Sequence, residues 1–176
     1  MKNYLEGSRI LLRPIKDTDT DHIIEWRNNE SIRKFFIYQQ PFTKEGHEKW
    51  LKEMIGTQNG FQFIVVDRES GRDIGSTYLR DYDRIHNKIE YGIFLSDTET
   101  TGHGLGTEAL KLTVQFAFQE LHVHKITGRI FSDNVRSLRV SEKAGFQKEA
   151  LLKDEVLVQG RYRDLVLVGQ INPEHQ

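Results

Sequence analysis

The chain has 176 residues, 37% of them hydrophobic and 29% charged, with a net charge of -1 and a mean hydropathy of -0.59, the balance of a globular domain with an extensive core. That charge gives no electrostatic footprint for nucleic acid, no apolar run approaches the roughly 18 residues of a membrane span, and Met1-Lys2-Asn3-Tyr4 does not open a signal peptide. The absence of cysteine excludes a disulfide framework, a thiolate metal site and a Cys nucleophile, and the expected compartment is the cytoplasm.

In chain order, Ser8 to Arg13 reads as a strand that Pro14 ends, because proline cannot donate to a ladder. Asp17, Thr18 and Asp19 offer caps for a short amphipathic helix over His22 to Arg27, a second short helix is expected over Ile32 to Phe36, and Thr43 caps a third that runs through His47, Trp50, Leu51 and Met54. From Phe61 the pattern turns to strands. Phe61 to Val66 and Ile74 to Leu79 form a hairpin about the Glu69-Ser70-Gly71-Arg72 turn, and Lys88 to Leu95 follows, with Gly92 marking a bulge or a close backbone approach.

Leu110, Val114, Ala117 and Leu121 fall at helical spacing, and Lys125 to Phe131 is a strand. A helix separates that strand from the one carrying Glu90, so the two are expected to lie parallel, joined by a right-handed crossover. Asn134 caps a short helix over Ser137 to Ala144 that Gly145 stops, and the strands Ala150 to Leu152 and Leu165 to Val168 flank a turn at Gln159-Gly160-Arg161. There is no repeat, low-complexity tract or linker.

The most informative stretch is Thr101-Gly102-His103-Gly104-Leu105-Gly106-Thr107-Glu108-Ala109, three glycines at alternate positions leading into a helix that starts at about Gly104. Glycines let successive N–H groups turn toward one point, and the helix adds its unpaired amides and positive dipole end. The natural target is an anion, most often phosphate. A dinucleotide-binding turn would also use glycines here, with Asp133 placed where a ribose ligand is sought. However, the spacing is Gly-x-Gly-x-Gly, the strand ends several residues before Gly102, and about half the chain precedes the motif. The missing Gly-Lys-Ser/Thr excludes a P-loop. His122 and His124, without a third ligand, read as a helix end rather than a metal site.

Leu11-Leu12-Arg13-Pro14, Tyr91-Gly92-Ile93, Gly102-x-Gly104-x-Gly106-Thr107-Glu108-Ala109, Asn134-x-x-Ser137 and Glu142-Lys143-Ala144-Gly145-Phe146 together resemble the GCN5-related N-acetyltransferase superfamily, and within it the ribosomal-protein N-terminal acetyltransferases. The resemblance spans nearly the whole chain. It implies one N-acetyltransferase domain over residues 1–176, of the α/β (α+β) class, with a mixed, bent sheet whose central parallel pair is flanked by helices. The implied cofactor is acetyl-CoA. In such proteins the amides at His103, Gly104, Gly106 and Thr107 hold the pyrophosphate. The backbone of Ile93, Phe94 and Leu95 meets the pantetheine arm and thioester carbonyl, and Asn134 contacts the pantetheine or acetyl group. Thr101 departs from the family's usual Arg or Gln, which removes a side-chain contact and leaves the backbone donors.

Acetyl transfer by direct attack of an amine, through a tetrahedral intermediate, needs a route for a proton off the amine and another onto the thiolate. Glu90 is the candidate base. The tyrosine that many family members use as the acid is replaced by Ser141, and the ribosomal-protein group points instead to Ser137, with Tyr78 and Tyr91 as further proton sources. Trp26, Arg27 and Arg33 are candidate acceptor-binding residues, with His47 and Trp50 beside them. A protein N-terminus is the favoured acceptor. An amino sugar or a polyamine is the alternative, the latter with thin support from Glu25 and Glu30, and a non-catalytic acetyl-CoA-binding protein is a third reading. The resemblance carries a homodimer as a family-based expectation, and no nucleic-acid, membrane or metal partner.

Overall fold

The computed structural model describes residues 4–96 and 102–175. Strands β1 (Leu5–Glu6) and β2 (Ile10–Pro14) precede helices α1 (Thr20–Asn28), α2 (Glu30–Arg33) and α3 (Lys44–Trp50), the last continued by a π-helical turn, Leu51–Ile55. Strands β3 (Phe61–Asp67), β4 (Asp73–Asp83) and β5 (Lys88–Leu95) lead to α4 (Leu105–Gln119), β6 (Lys125–Phe131), α5 (Val135–Lys143) and the hairpin β7 (Gln147–Val158) and β8 (Arg161–Ile171). The strands form one sheet in the order β1-β2-β3-β4-β5-β6-β8-β7. Among the described pairings only β5 with β6 is parallel, which matches the crossover expected from a helix between two strands.

Strand alternation divides the core into two layers. Ile10, Leu12, Phe63, Val65, Leu79, Ile89 and Tyr91 point toward α4, where they bury Leu110, Val114, Phe116 and Ala117. From the opposite face Ile64 and Phe94 pack with Ile23 of α1 and Ile32 of α2. Helix α4 is the best-buried helix because its apolar positions form a broad face rather than a narrow stripe.

The parallel ladder runs Lys88↔Lys125, Ile89↔Ile126, Glu90↔Thr127 and stops. Beyond Glu90, β5 stays paired with β4 as far as Leu95, while β6 stays paired with β8 as far as Phe131. The two central strands therefore part, and a cavity opens in the gap.

Several boundaries differ from the sequence expectation. The second helix is Glu30–Arg33 rather than Ile32 to Phe36, because Asn29 accepts a hydrogen bond from the Ser31 amide and starts the helix early. The final hairpin is far longer than two short strands. Its exposed polar residues hide the period, and Gln159 and Gly160, at φ 51° and 77°, form its tip. Leu121 lies past the end of α4, yet still packs against the core. Gly92 is not a bulge. It sits in register opposite Tyr78, and the irregularity of this pair falls between Arg80 and Asp83. Two of the expected caps are present: Thr43 accepts from the Gly46 amide and Asn134 from the Ser137 amide. The third is not, because Asp19 precedes α1 without a capping bond and its carboxylate accepts instead from Arg13 and the Lys16 amide. Gly145 follows α5 at φ 101°.

Candidate active site

The cavity between the parted strands measures about 1030 Å³ and runs from the N-terminus of α4 to the helices α1–α3. Its floor is the residue set that alternation aims to one face of β4 and β5, namely Tyr78 and Arg80 opposite Gly92 and Glu90. Gly92 is required for packing. A Cβ there would lie 2.1 Å from Cζ of Tyr78, so only glycine lets the phenol ring lie across the strand.

At one end stands the glycine loop. Gly104 is the N-cap of α4 in the left-handed region, φ 82° and ψ 4°, a conformation that side chains other than glycine rarely adopt. Gly102, Gly104, Gly106 and Thr107 line the cavity, and the first amides of α4 have no acceptor within the helix. The loop is pinned from behind. The Arg9 guanidinium donates to the His103 carbonyl at 2.6 Å and to Glu108 at 2.9 Å, while the Arg9 amide donates to Glu108 at 2.8 Å. Against the opposing effect of burial, these bonds hold the Glu108 carboxyl below its ordinary range. His103 itself does not line the cavity, and Thr101 lies outside the described residues. Facing the loop, α5 contributes Arg136, Arg139 and Lys143, and its cap Asn134 also lines the wall. Ile93, Phe94 and Leu95 line the stretch between.

At the other end Glu90 is the only carboxylate among the described lining residues. Arg80 donates to it from Nε and Nη2 at 3.2 and 2.5 Å, and Arg129 from Nε and Nη2 at 3.0 and 3.2 Å. Three of the four bonds end on Oε1, and Oε2 accepts only that from Arg129 Nε, which leaves it a lone pair for a further donor. Trp50 stands edge-on to Tyr78 and donates its indole N–H to Gln62 at 3.0 Å. Arg27 and His47 line this end as well. Trp26 and Arg33 do not. Trp26 packs edge-on against Phe94 at a centroid distance of 6.1 Å, and Arg33 lies outside the lining.

Ser137 lines the cavity, whereas Ser141, one helical turn on, is buried behind it. The Ser141 hydroxyl donates to the Ser137 carbonyl at 2.9 Å and meets the Tyr91 hydroxyl at 2.6 Å. Tyr91 is pushed up to about 12, chiefly by burial, so its phenol stays protonated at neutral pH.

Sequence reasoning missed Arg80, Arg129 and Arg9. Arg80 is the direct cross-strand partner of Glu90, and Arg129 stands two residues beyond Thr127, hence on the same face as Glu90's parallel neighbour. Strand register would have found both, but the irregularity between Arg80 and Asp83 conceals it in the sequence.

A helix N-terminus facing three cations across a gap between parted parallel strands is the architecture of a protein that holds a diphosphate-bearing acyl carrier. The chain belongs to the acetyltransferase (GNAT) domain family, whose profile matches residues 9–147. It is 28% identical to the probable N-acetyltransferase YjcK of Bacillus subtilis over 98% of this chain and 99% of that protein. Among solved structures it is similar to the ribosomal-protein-S5-alanine acetyltransferase of Vibrio fischeri, with 25% identity, TM-score 0.85 and 98% of each chain covered. It is likewise similar in fold to the spermidine N-acetyltransferase of Vibrio cholerae in complex with CoA and spermine, with 24% identity, TM-score 0.85, and 94% and 97% of the two chains covered. The protein is an acetyl-CoA-dependent N-acetyltransferase. No helix among the described residues is long and apolar enough to cross a membrane.

Proposed function

We propose that the acceptor is a primary amine on a body that is not polycationic, a peptide amino terminus in the first place. The observation that carries this is the acceptor end itself, where the one carboxylate among the described lining residues, Glu90, is already clamped by Arg80 and Arg129. A polyamine would bring further positive charges toward three guanidinium groups, and like charges in a confined site cost binding energy. Similarity to the S5-alanine acetyltransferase supports the peptide reading. Similarity to spermidine acetyltransferases supports a polyamine as the second reading.

In this proposal the amides of His103, Gly104, Gly106 and Thr107 hold the diphosphate of acetyl-CoA, with Arg136, Arg139 and Lys143 adding charge. Asn134 and the backbone of Ile93, Phe94 and Leu95 align the pantetheine arm. Acetyl-CoA supplies an activated acetyl group. Glu90 takes the amine's proton at Oε2 through a water, and Ser137, backed by Ser141 and Tyr91, relays a proton toward the departing sulfur.

The test is thiol release from acetyl-CoA against alanyl and seryl peptides, amino sugars and spermidine. The expected order places uncharged or anionic monoamines above spermidine in kcat/KM. Preference for spermidine would replace this proposal with the polyamine reading.

A further inference from the structure

Several arginines of this protein are matched with acids. Arg9 holds Glu108, Arg13 holds Asp19 and Asp73, Arg80 and Arg129 share Glu90, and Arg163 holds Asp133. Arg27 is not among them. It leaves the last turn of α1 and enters the cavity with its guanidinium carbon 3.6 Å from the centroid of Phe36 and 4.7 Å from that of Phe42. Its polar neighbour is the Tyr78 hydroxyl, and the Arg80 cation acts on it as a like charge. Among the described residues it has no carboxylate partner.

A cation taken out of water normally finds a counter-ion. Two aromatic faces offset part of that cost, but they leave the guanidinium edge, the part that bonds an oxyanion, without an acidic acceptor. His47 lies close by. It is fully buried beside Phe42, and its Nδ1 lies 3.1 Å from the Thr20 hydroxyl. Its Nε2 has no hydrogen-bond partner. According to the tautomer, Nε2 is either a donor or an acceptor without a partner. The atom is closed to solvent, so His47 backs the cavity wall rather than serving as a contact for a ligand.

We propose that the acceptor carries, besides its amine, an oxyanion, a carboxylate or a phosphate, which binds Arg27 while the amine reaches Glu90. This deepens the monoamine reading and rests on it. Arg27 is then a specificity-determining residue: a bidentate guanidinium for the anion, held flat between Phe36 and Phe42 so that its fork is fixed before the acceptor arrives.

Two measurements test it. In the first, inorganic phosphate is titrated calorimetrically into protein saturated with CoA, so that the α4 end is filled. Binding to the wild type that persists in Arg27→Lys and is lost in Arg27→Gln supports the site, with CoA binding retained as the sign of an intact fold. No phosphate binding to the wild type, or binding unaffected by Arg27→Gln, overturns it. In the second, matched acceptors are compared: an Ala-Glu peptide against Ala-Gln, and glucosamine 6-phosphate against glucosamine. A charge-assisted bond predicts a preference of about tenfold or more in kcat/KM for one anionic member, collapsing toward unity in Arg27→Gln. The pair that shows it tells carboxylate from phosphate. Preference for the neutral member of both pairs overturns the anion site alone, whereas preference for spermidine over all four overturns the monoamine reading as well.

Discussion

Gly92→Ala is the sharpest perturbation of this site, because a single methyl group meets a single ring. The added Cβ would lie 2.1 Å from Cζ, 2.3 Å from the hydroxyl oxygen and 2.4 Å from Cε2 of Tyr78, all far inside contact distance. Tyr78 cannot yield freely, since it stands edge-on to Trp50 and its hydroxyl faces Arg27. Overpacking of this kind costs about 1–3 kcal/mol, and loss of the aromatic pair adds about 0.5–1.5 kcal/mol. For a chain of this size a cost of about 2 kcal/mol lowers Tm by roughly 4–8 °C. The displaced ring lies on the acceptor side, so KM for the amine should rise while CoA affinity stays near the wild-type value. The assay is calorimetric Tm together with CoA titration and steady-state kinetics, repeated in Tyr78→Ala and in the double variant. Removing the ring gives the methyl group room, so the double variant should fall short of additivity by about 1 kcal/mol or more. Strict additivity, or an unchanged Tm in Gly92→Ala, would refute the packing argument.

Glu90→Gln leaves Arg80 and Arg129 facing an uncharged amide that presents donors to donors. Turnover is expected to fall and its pH profile to change, with stability lowered by about 1–3 kcal/mol as the partly buried ion triad loses its anion. Unchanged turnover would reduce Glu90 to scaffold. Glu108→Ala removes the carboxylate that holds the Arg9 guanidinium against the His103 carbonyl, so the Kd for CoA measured calorimetrically should rise severalfold with kcat little changed; an unaltered Kd would mean that the loop keeps its shape without Glu108. Ser137→Ala should lower kcat more than CoA affinity if the hydroxyl relays a proton, and the reverse pattern would make it a cofactor contact. The pH dependence of stability follows from two depressed groups. Burial, reinforced by the Arg27 charge, holds His47 below its ordinary 6.5. The unfolded chain therefore takes up a proton before the folded one does, and stability falls as the pH drops below about 6.5. Burial opposes the shift at Asp19, but hydrogen bonds from Arg13 and the Lys16 amide prevail and keep it below 3.8, so its contribution is present above that value and lost in stronger acid. Chemical denaturation from pH 7.5 to 5 should show the first decline in the wild type and a flatter curve in His47→Gln.

Much of the fold was legible in the sequence because its signals are local. The Gly-x-Gly-x-Gly run, the α4 periodicity and the caps Thr43, Asn134 and Gly145 each reflect contacts within a few residues, and the structure keeps them. The long final hairpin was not legible. Most of β7 is exposed, so the burial that would print an alternating pattern is absent.

The candidate site divides in the same way. The glycine loop was found from residue type and spacing, and Glu90, Ser137, Asn134 and Arg27 from the family resemblance that the motifs carry; all have residues on the cavity wall. Trp26 and Arg33 carry the same composition signal as Arg27, yet they lie outside the cavity, because the direction of a side chain on a short helix is fixed by what that helix packs against. The sequence by itself determined an anion-binding helix start, since a nest of amides is a property of consecutive residues, and the set of short motifs carried the resemblance that implied acetyl transfer. The tertiary structure alone decided the charge at the Glu90 end of the cavity. Arg80, Glu90 and Arg129 come from three strands, and Arg27 and His47 from two helices, so whether a cation meets an acid or stands unpaired depends on strand register and helix packing that no local spacing records.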